Sequence, residues 1–313
     1  MKEKFIDRSF HTATLRVIEQ ANKIIDEYLV HGFILTLRQL YYQFVTRDLI
    51  RNTLADYKRL GGIVNNARLA GLIDWDAIED RTREVNTHSS WDGPASIIAA
   101  CAEQYRTDVW EEQRYRPEVW IEKDALLGVI EGVCTEYQVP YFAHRGNNSQ
   151  TLQYEAGKRF EQYFDQGLIP IVLHLADHDP NGIDMTRDNI ERLALFARQD
   201  VEVRRIALNL DQVRRYRPPP NFAKEKDTRY PAYVKKFGSK CWELDALSPT
   251  VITDLIRHEI TTLIDRPKWE AAERTSRRGQ IMLTKASADW AKVEKLLTVE
   301  RRRYNEDGSL QNG

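Results

Sequence analysis

The segment Ile169–Asp184, IPIVLHLADHDPNGID, constrains the fold more than any other part of the chain. An aliphatic run without polar alternation marks a parallel strand covered on both faces, so Ile169–Leu175 is expected in the middle of a sheet. The run stops at Asp177-His178-Asp179, and Pro180-Asn181-Gly182 turns the chain toward a helix. Residues just past the carboxyl end of such a strand lie where open α/β sheets bind ligands. Asp177 and Asp179 are spaced to share one divalent cation, and magnesium suits a few carboxylates completed by waters and a substrate phosphate. Against this stands the commonness of aspartate in turns and at helix N-caps. His174 is expected to pack within the sheet. His178 should point away from both acids if the backbone stays extended, and neither histidine is assigned a catalytic role.

A second apolar strand, Val119-Trp120-Ile121, ends in Glu122. After it come a helix over Asp124–Tyr137, a strand at Val139–Phe142 and a helix over Leu152–Phe164. The acid-bearing strand, a helix over Asp184–Arg198 and a strand at Arg204–Leu208 complete the series. Strand–helix alternation of this kind predicts a parallel sheet, with Glu122, Asp177 and Asp179 converging on one edge. Asp184 is read mainly as a helix cap. The stretch Arg214–Lys240 departs from the pattern, interleaving Lys224, Lys226, Lys235 and Lys236 with Tyr216, Phe222, Tyr230, Tyr233 and Phe237. Read as a loop, such a mixture suits a nucleic-acid backbone or an unstacked base, although the aromatics can equally fold back on the domain. Helices are expected over Ser248–Leu263 and Ala286–Arg303, followed by a frayed tail, Tyr304–Gly313.

The N-terminal part carries a capping box, Thr36-x-x-Gln39, which predicts a helix beginning at Leu37. On that helix Leu37, Leu40, Tyr41 and Phe44 form the apolar face, which leaves Tyr42 free and one turn from Arg38. Ionising an ordinary tyrosine at pH 7 costs about 4 kcal/mol. A guanidinium four residues earlier favours the phenolate and can also grip a phosphate. The plainer alternative is a packed Tyr-Tyr pair beside a solvated arginine. A preceding helix, Phe10–Val30, should turn Leu15, Ile18, Ala21, Ile25 and Leu29 inward, with Gly32 as its C-cap. A third helix spans Leu54–Ala70, with Gly61-Gly62 inside it, explained by close approach to DNA or a neighbouring helix, or by a break. Leu72–Arg83 alternates as a wing would. Three helices and a hairpin suit a winged helix whose recognition helix carries Lys58, Arg59 and Arg68.

Taken together, Glu122 after a first strand and Asp177-x-Asp179-Pro-x-Gly after a third resemble the Toprim domain. The closest likeness is to the A subunit of topoisomerase VI and the meiotic double-strand-break protein related to it. Arg38-x-x-Tyr41-Tyr42 upstream and Lys240-Cys-Trp-Glu243-Leu-x-Ala246-Leu247 downstream fit the same family, so the likeness spans roughly residues 36–247. Arg145-Gly146 matches the family's glycine-rich segment only in part. The resemblance implies an α/β fold (α+β overall): a CAP-like winged-helix domain over 1–95, a linker over 96–116, and a Toprim domain over 117–313 with a basic and aromatic insertion at 211–240. It implies Tyr42 as nucleophile steered by Arg38 and Mg2+ held by Glu122, Asp177 and Asp179, while the basic residues themselves lead to an expectation of DNA contacts from Lys58, Arg59, Arg68, Lys235 and Lys236. The expected activity is cleavage of double-stranded DNA by a homodimer, each site composed in trans and leaving a 5′-phosphotyrosine link. The chain enters its first helix early, as the stand-alone proteins called Mini-A do. An ATPase B subunit, and hence ATP-driven strand passage, is therefore not expected.

Composition bounds these expectations. The chain has 313 residues, enough for two ordinary domains. Nothing approaches an apolar membrane span or a signal-peptide core, and the three scattered cysteines suit a reducing compartment, so a cytoplasmic, nucleoid-associated protein is expected. A net charge of −1 argues against a broad polyanion binder but leaves room for local basic patches. Two rival readings follow from the same residues: a hydrolytic Toprim nuclease in which Tyr42 is structural, and a non-catalytic winged-helix DNA-binding protein.

Overall fold

The computed structural model of the chain describes residues 2–79, 90–144, 150–222 and 227–301, side chains of 298–301 excepted. The partial match at Arg145-Gly146, Lys224, Lys226 and the tail Tyr304–Gly313 lie outside the described residues. Two compact units form, one from Met1–Glu84 with Arg114–Leu263, the other from Val85–Gln113 with Ile264–Gly313. The helical N-terminal part and the sheet thus belong to one unit.

That unit begins with α1 (Thr12–Leu29), β1 (Leu35–Thr36), α2 (Leu37–Thr46), α3 (Leu54–Leu69) and β2 (Ile78–Glu79). The buried stripe of α1 is Ile18, Ala21, Ile24, Ile25 and Tyr28, whereas Leu15 and Leu29, expected inward, are exposed near the helix ends. The capping box is realised. Thr36 Oγ1 accepts from the Gln39 amide, and the Thr36 amide donates to Gln39 Oε1 at 2.8 Å. α3 runs unbroken through both glycines. A Cβ on Gly61 would meet Leu37 Cδ2 at 3.1 Å, while one on Gly62 would enter open space. Close helix approach therefore explains Gly61 alone. The segment expected as a wing holds, through Glu79, a 3-10 turn at Trp75–Ala77 and the strand β2, which pairs parallel with β1. Residues 80–83 lie outside the described residues.

The helix α4 (Pro94–Gln104) falls in the stretch expected as a linker and belongs to the second unit. Returning to the first unit, β3 (Tyr115–Ile121), α5 (Leu127–Glu136), β4 (Tyr141–Ala143), α6 (Gln150–Asp165), β5 (Ile169–Leu175), α7 (Pro180–Ala197) and β6 (Glu202–Ala207) follow the expected alternation. The four strands form a parallel sheet in the order β4-β3-β5-β6, flanked by helices. One face buries Trp120 and Val172 against Phe160 of α6 and Leu193 of α7. On that face the carboxylate of Glu118 accepts from Arg159 at 2.8 and 3.0 Å and from the Trp120 indole at 2.9 Å, so the buried charge is fully partnered. As expected, His174 is buried in the sheet, between His144 and Thr186.

Among the described residues the basic and aromatic stretch is not a plain loop. It forms α8 (Leu210–Tyr216), β7 (Asn221–Phe222), α9 (Tyr230–Phe237) and β8 (Lys240–Cys241), with β7 and β8 antiparallel. Tyr233 and Phe237 fold back onto His178, which leaves Phe222 as the exposed aromatic of the strand pair. α10 (Pro249–Thr262) closes the unit and packs on α5. The second unit adds α11 (Arg266–Ala288), paired with α4, and α12 (Trp290–Arg301), where one helix over Ala286–Arg303 was expected. Among the described residues no helix is long and apolar enough to cross a membrane.

Candidate active site

Sheet register brings the acids together. β3 and β5 are aligned with Ile121 beside Leu175, so the residues after them emerge side by side. The Glu122 amide donates to the Leu175 carbonyl at 2.9 Å, and the Asp177 amide donates to Glu122 Oε2 at 2.8 Å. Asp179 is the N-cap of α7, its Oδ1 accepting from the Gly182 amide at 2.7 Å. Asp184, expected as the cap, lies inside α7 and pairs with Arg187. The glycine of Asp-Pro-Asn-Gly has a steric reason: a Cβ on Gly182 would stand 2.1 Å from the Asp177 carbonyl oxygen. Arg205, reaching in from β6, fastens the same turn. It donates to the carbonyls of Ala176, Asp177 and Gly182 at 3.0, 2.6 and 2.8 Å. Burial lowers the Arg205 guanidinium to about 10, opposed by the nearby charges of Glu122, Asp177 and Asp179.

Glu122, Asp177 and Asp179 line one cavity of about 640 Å3 together with Arg38, Lys123, Asn181, Asn221, Phe222 and Glu243. Burial raises the Glu122 carboxyl, and the charge of Asp179 raises it further. Burial also pushes Asp177 up to about 8, although Lys123 opposes the shift. The side chain of Lys123 is 19% exposed, and its Nζ lies 3.0 Å from Asp177 Oδ1, 2.9 Å from Glu243 Oε2 and 3.0 Å from Asp245 Oδ1. Asp177 Oδ1 accepts from the Leu244 amide as well, at 2.8 Å. Burial alone would raise Glu243, but Lys123 and Arg38 hold it at about 2.

Tyr42 lies in an adjoining cavity of about 290 Å3 lined by Arg38, Tyr41, Asn52, Tyr57, Asn221 and Glu243. The two cavities share Arg38, Asn221 and Glu243 as walls. Tyr42, expected to be free, is as buried as Tyr41, at 4% against 5% exposure. Helical periodicity misjudged it because the turn Leu244–Ala246 packs against α2 and covers a second side of the helix. The two phenols differ in their partners. Tyr41 donates to Asn52 Oδ1 at 2.9 Å, whereas the Tyr42 hydroxyl makes no hydrogen bond among the described residues. Arg38 pairs with Glu243 and, at 2.7 Å, with Asp245, and its guanidinium carbon is 5.8 Å from the Tyr42 ring centre. The expected pull toward phenolate is reversed here. Burial, then Asp245 and Glu243, raise the Tyr42 phenol well above its ordinary value, outweighing Arg38 and Lys123.

A polar chain runs from one cavity to the other. Asn52 Nδ2 donates to Asn221 Oδ1 at 2.7 Å, and Asn221 Nδ2 donates to Glu243 Oε1 at 3.0 Å. Of the residues expected to touch DNA, Lys58 and Arg59 are exposed on α3, with Arg59 3.6 Å from Asp56. Lys235 and Lys236 are exposed on the last turn of α9. Arg68 is turned inward, its guanidinium 4.6 Å from the Trp75 ring centre, so it braces the turn after α3.

Among the described residues no three His, Cys, Asp or Glu side chains stand together as one metal-holding group. The acids are instead divided: Asp177, Glu243 and Asp245 surround Lys123, while Glu122 and Asp179 remain on the open side. The carboxylate oxygens on that side are hard donors of the kind magnesium takes. Sequence reasoning missed Lys123, Asp245, Arg205 and Asn221. Three had a readable signal: Lys123 directly follows Glu122, Glu243-x-Asp245 repeats the acid spacing of Asp177-x-Asp179, and Arg205 interrupts a strand. Comparison of the chain with protein-family models, curated proteins and solved structures returns no match.

Proposed function

We propose that the protein is a magnesium-dependent DNA strand transesterase, a winged-helix and Toprim protein of the topoisomerase VI A-subunit kind. One observation carries the reading. Glu122, Asp177 and Asp179 converge at one sheet edge in a cavity sharing Arg38, Asn221 and Glu243 with the cavity of Tyr42. Tyr42, whose hydroxyl is uncommitted, is the nucleophile: its oxygen bonds to a backbone phosphorus as the bond from phosphorus to the 3′ oxygen breaks. The phenolic proton is given up to solvent, the departing 3′ oxygen takes a proton from solvent, and a 5′-phosphotyrosine remains. Arg38, half exposed between the cavities, exchanges its carboxylates for the phosphate it orients. Glu122, Asp177 and Asp179 would hold Mg2+, which would supply positive charge beside the phosphate and the departing oxygen. Double-stranded DNA is the substrate, with Lys58, Arg59, Lys235 and Lys236 on its backbone. A homodimer with sites shared in trans follows the motif resemblance, and no ATPase partner is part of the proposal.

A second reading, hydrolysis with Tyr42 as a structural residue, is favoured by the burial of Tyr42 and its raised phenol. Incubation with supercoiled DNA and Mg2+, quenched by SDS, separates the two. Protein-linked ends that vanish in Glu122→Gln and Asp179→Asn support transesterification. Free 5′-phosphate ends without linked protein support hydrolysis. Metal-independent binding, with no cutting and no effect of either substitution, overturns both.

A further inference from the structure

We propose that Lys123 is a built-in cation that fills a second metal position, so that the site takes up a single divalent ion. This rests on the metal reading above. The Lys123 ammonium has three carboxylate neighbours from two separate segments, Asp177 Oδ1 at 3.0 Å, Glu243 Oε2 at 2.9 Å and Asp245 Oδ1 at 3.0 Å. A lone ion pair holds one carboxylate. A buried ammonium with three anionic neighbours occupies the place an ion would take. Two of the three are themselves deeply buried, with side-chain exposures of 10% for Asp177 and 1% for Asp245.

Charge counting points the same way. With all three carboxyls ionised the trio carries three negative charges, met by Lys123 and by Arg38, which pairs with Glu243 and Asp245 from the other side. Removal of Lys123 leaves the three carboxyls without the ammonium between them, with Arg38 paired to Glu243 and Asp245 but not to Asp177, an arrangement that low-dielectric surroundings penalise strongly. Glu122 and Asp179, by contrast, accept from the backbone amides of Asp177 and Gly182 and form no ion pair among the described residues. One pole of the site is therefore closed by a side chain and the other is left for an ion. Asp177 belongs to both, with Oδ1 committed to Lys123 and Leu244. A fixed ammonium cannot leave, so it keeps the buried trio folded between turnovers, which an exchangeable ion cannot do.

The test is the number of Mn2+ ions bound per chain, read by calorimetric titration and by the EPR signal of free Mn2+, without DNA. Wild type is expected to bind one, Lys123→Arg one, and the nearly isosteric Lys123→Met two. Lys123→Met is also expected to be less stable than wild type without metal and to gain more in thermal midpoint from Mn2+. Two ions in wild type overturn the inference. So does one ion in a folded Lys123→Met chain, or a Lys123→Met chain whose lost stability Mn2+ does not restore. If wild type binds one ion that Asp179→Asn abolishes while Lys123→Met still binds one, the inference fails and the metal reading stands. If wild type binds none, the metal reading fails and the inference falls with it.

Discussion

Neighbouring tyrosines on α2 have the same burial and opposite commitments. Tyr41 spends its hydroxyl on Asn52 and Thr53, while that of Tyr42 makes no hydrogen bond among the described residues. Tyr41→Phe should therefore cost about 1 kcal/mol of stability in urea unfolding, and Tyr42→Phe less than about 0.5 kcal/mol. Equal losses would mean that the Tyr42 hydroxyl is structural. Glu243 offers a second check, through pH. Its folded pKa of about 2 lies below the ordinary 4.5, so its contribution is complete above that ordinary value and is lost as pH falls toward 2. The contribution is at most about 3 kcal/mol. Glu243→Gln should lower the urea midpoint at neutral pH and flatten its decline between about pH 5 and pH 3. A decline as steep as in wild type would contradict the assigned pairing with Lys123 and Arg38. The motif acids were legible because they follow apolar strands. The commitments of Lys123, Asp245 and Asn221 were not, since they arise where segments distant in sequence meet.

At the scale of elements, the glycines test the packing. Gly62→Ala places a methyl in open space within α3 and should stabilise the protein by up to about 1 kcal/mol. Gly61→Ala should gain less, because Leu37 stands in the way. Gly182→Ala forces a Cβ onto the Asp177 carbonyl and should cost about 3 kcal/mol or more, with loss of metal-dependent cutting. Thermal unfolding ranks the three, and a Gly182→Ala protein as stable as wild type would overturn the geometry given for the acid turn. Strand–helix periodicity predicted the elements around the acids well, because aliphatic runs covered on both faces leave few alternatives. It failed for the stretch after β6, where basic residues among aromatics read as a loop. There Tyr233 and Phe237 earn an ordered structure by packing on His178, a contact invisible to local pattern. Gly61 was ambiguous for the same reason, since its neighbour lies on another helix.

For the whole molecule, the proposed reaction turns on which chain supplies the phenol. Arg38, Asn221 and Glu243 wall both cavities of a single chain, while the family resemblance implies exchange between two. Mixing Tyr42→Phe chains with Asp179→Asn chains should restore nicking of one strand if the site is shared in trans, and should leave the mixture inactive if each chain works alone. The most direct measurement is chemical. DNA cut in Mg2+ and stopped with SDS is trimmed by nuclease, the protein is digested, and the nucleotide-bearing peptide is sequenced by mass spectrometry. A nucleotide joined through its 5′ phosphate to the peptide containing Tyr42, at that residue, is the expected result. Free 5′-phosphate ends with no linked peptide, or attachment at Tyr41 instead, would contradict it.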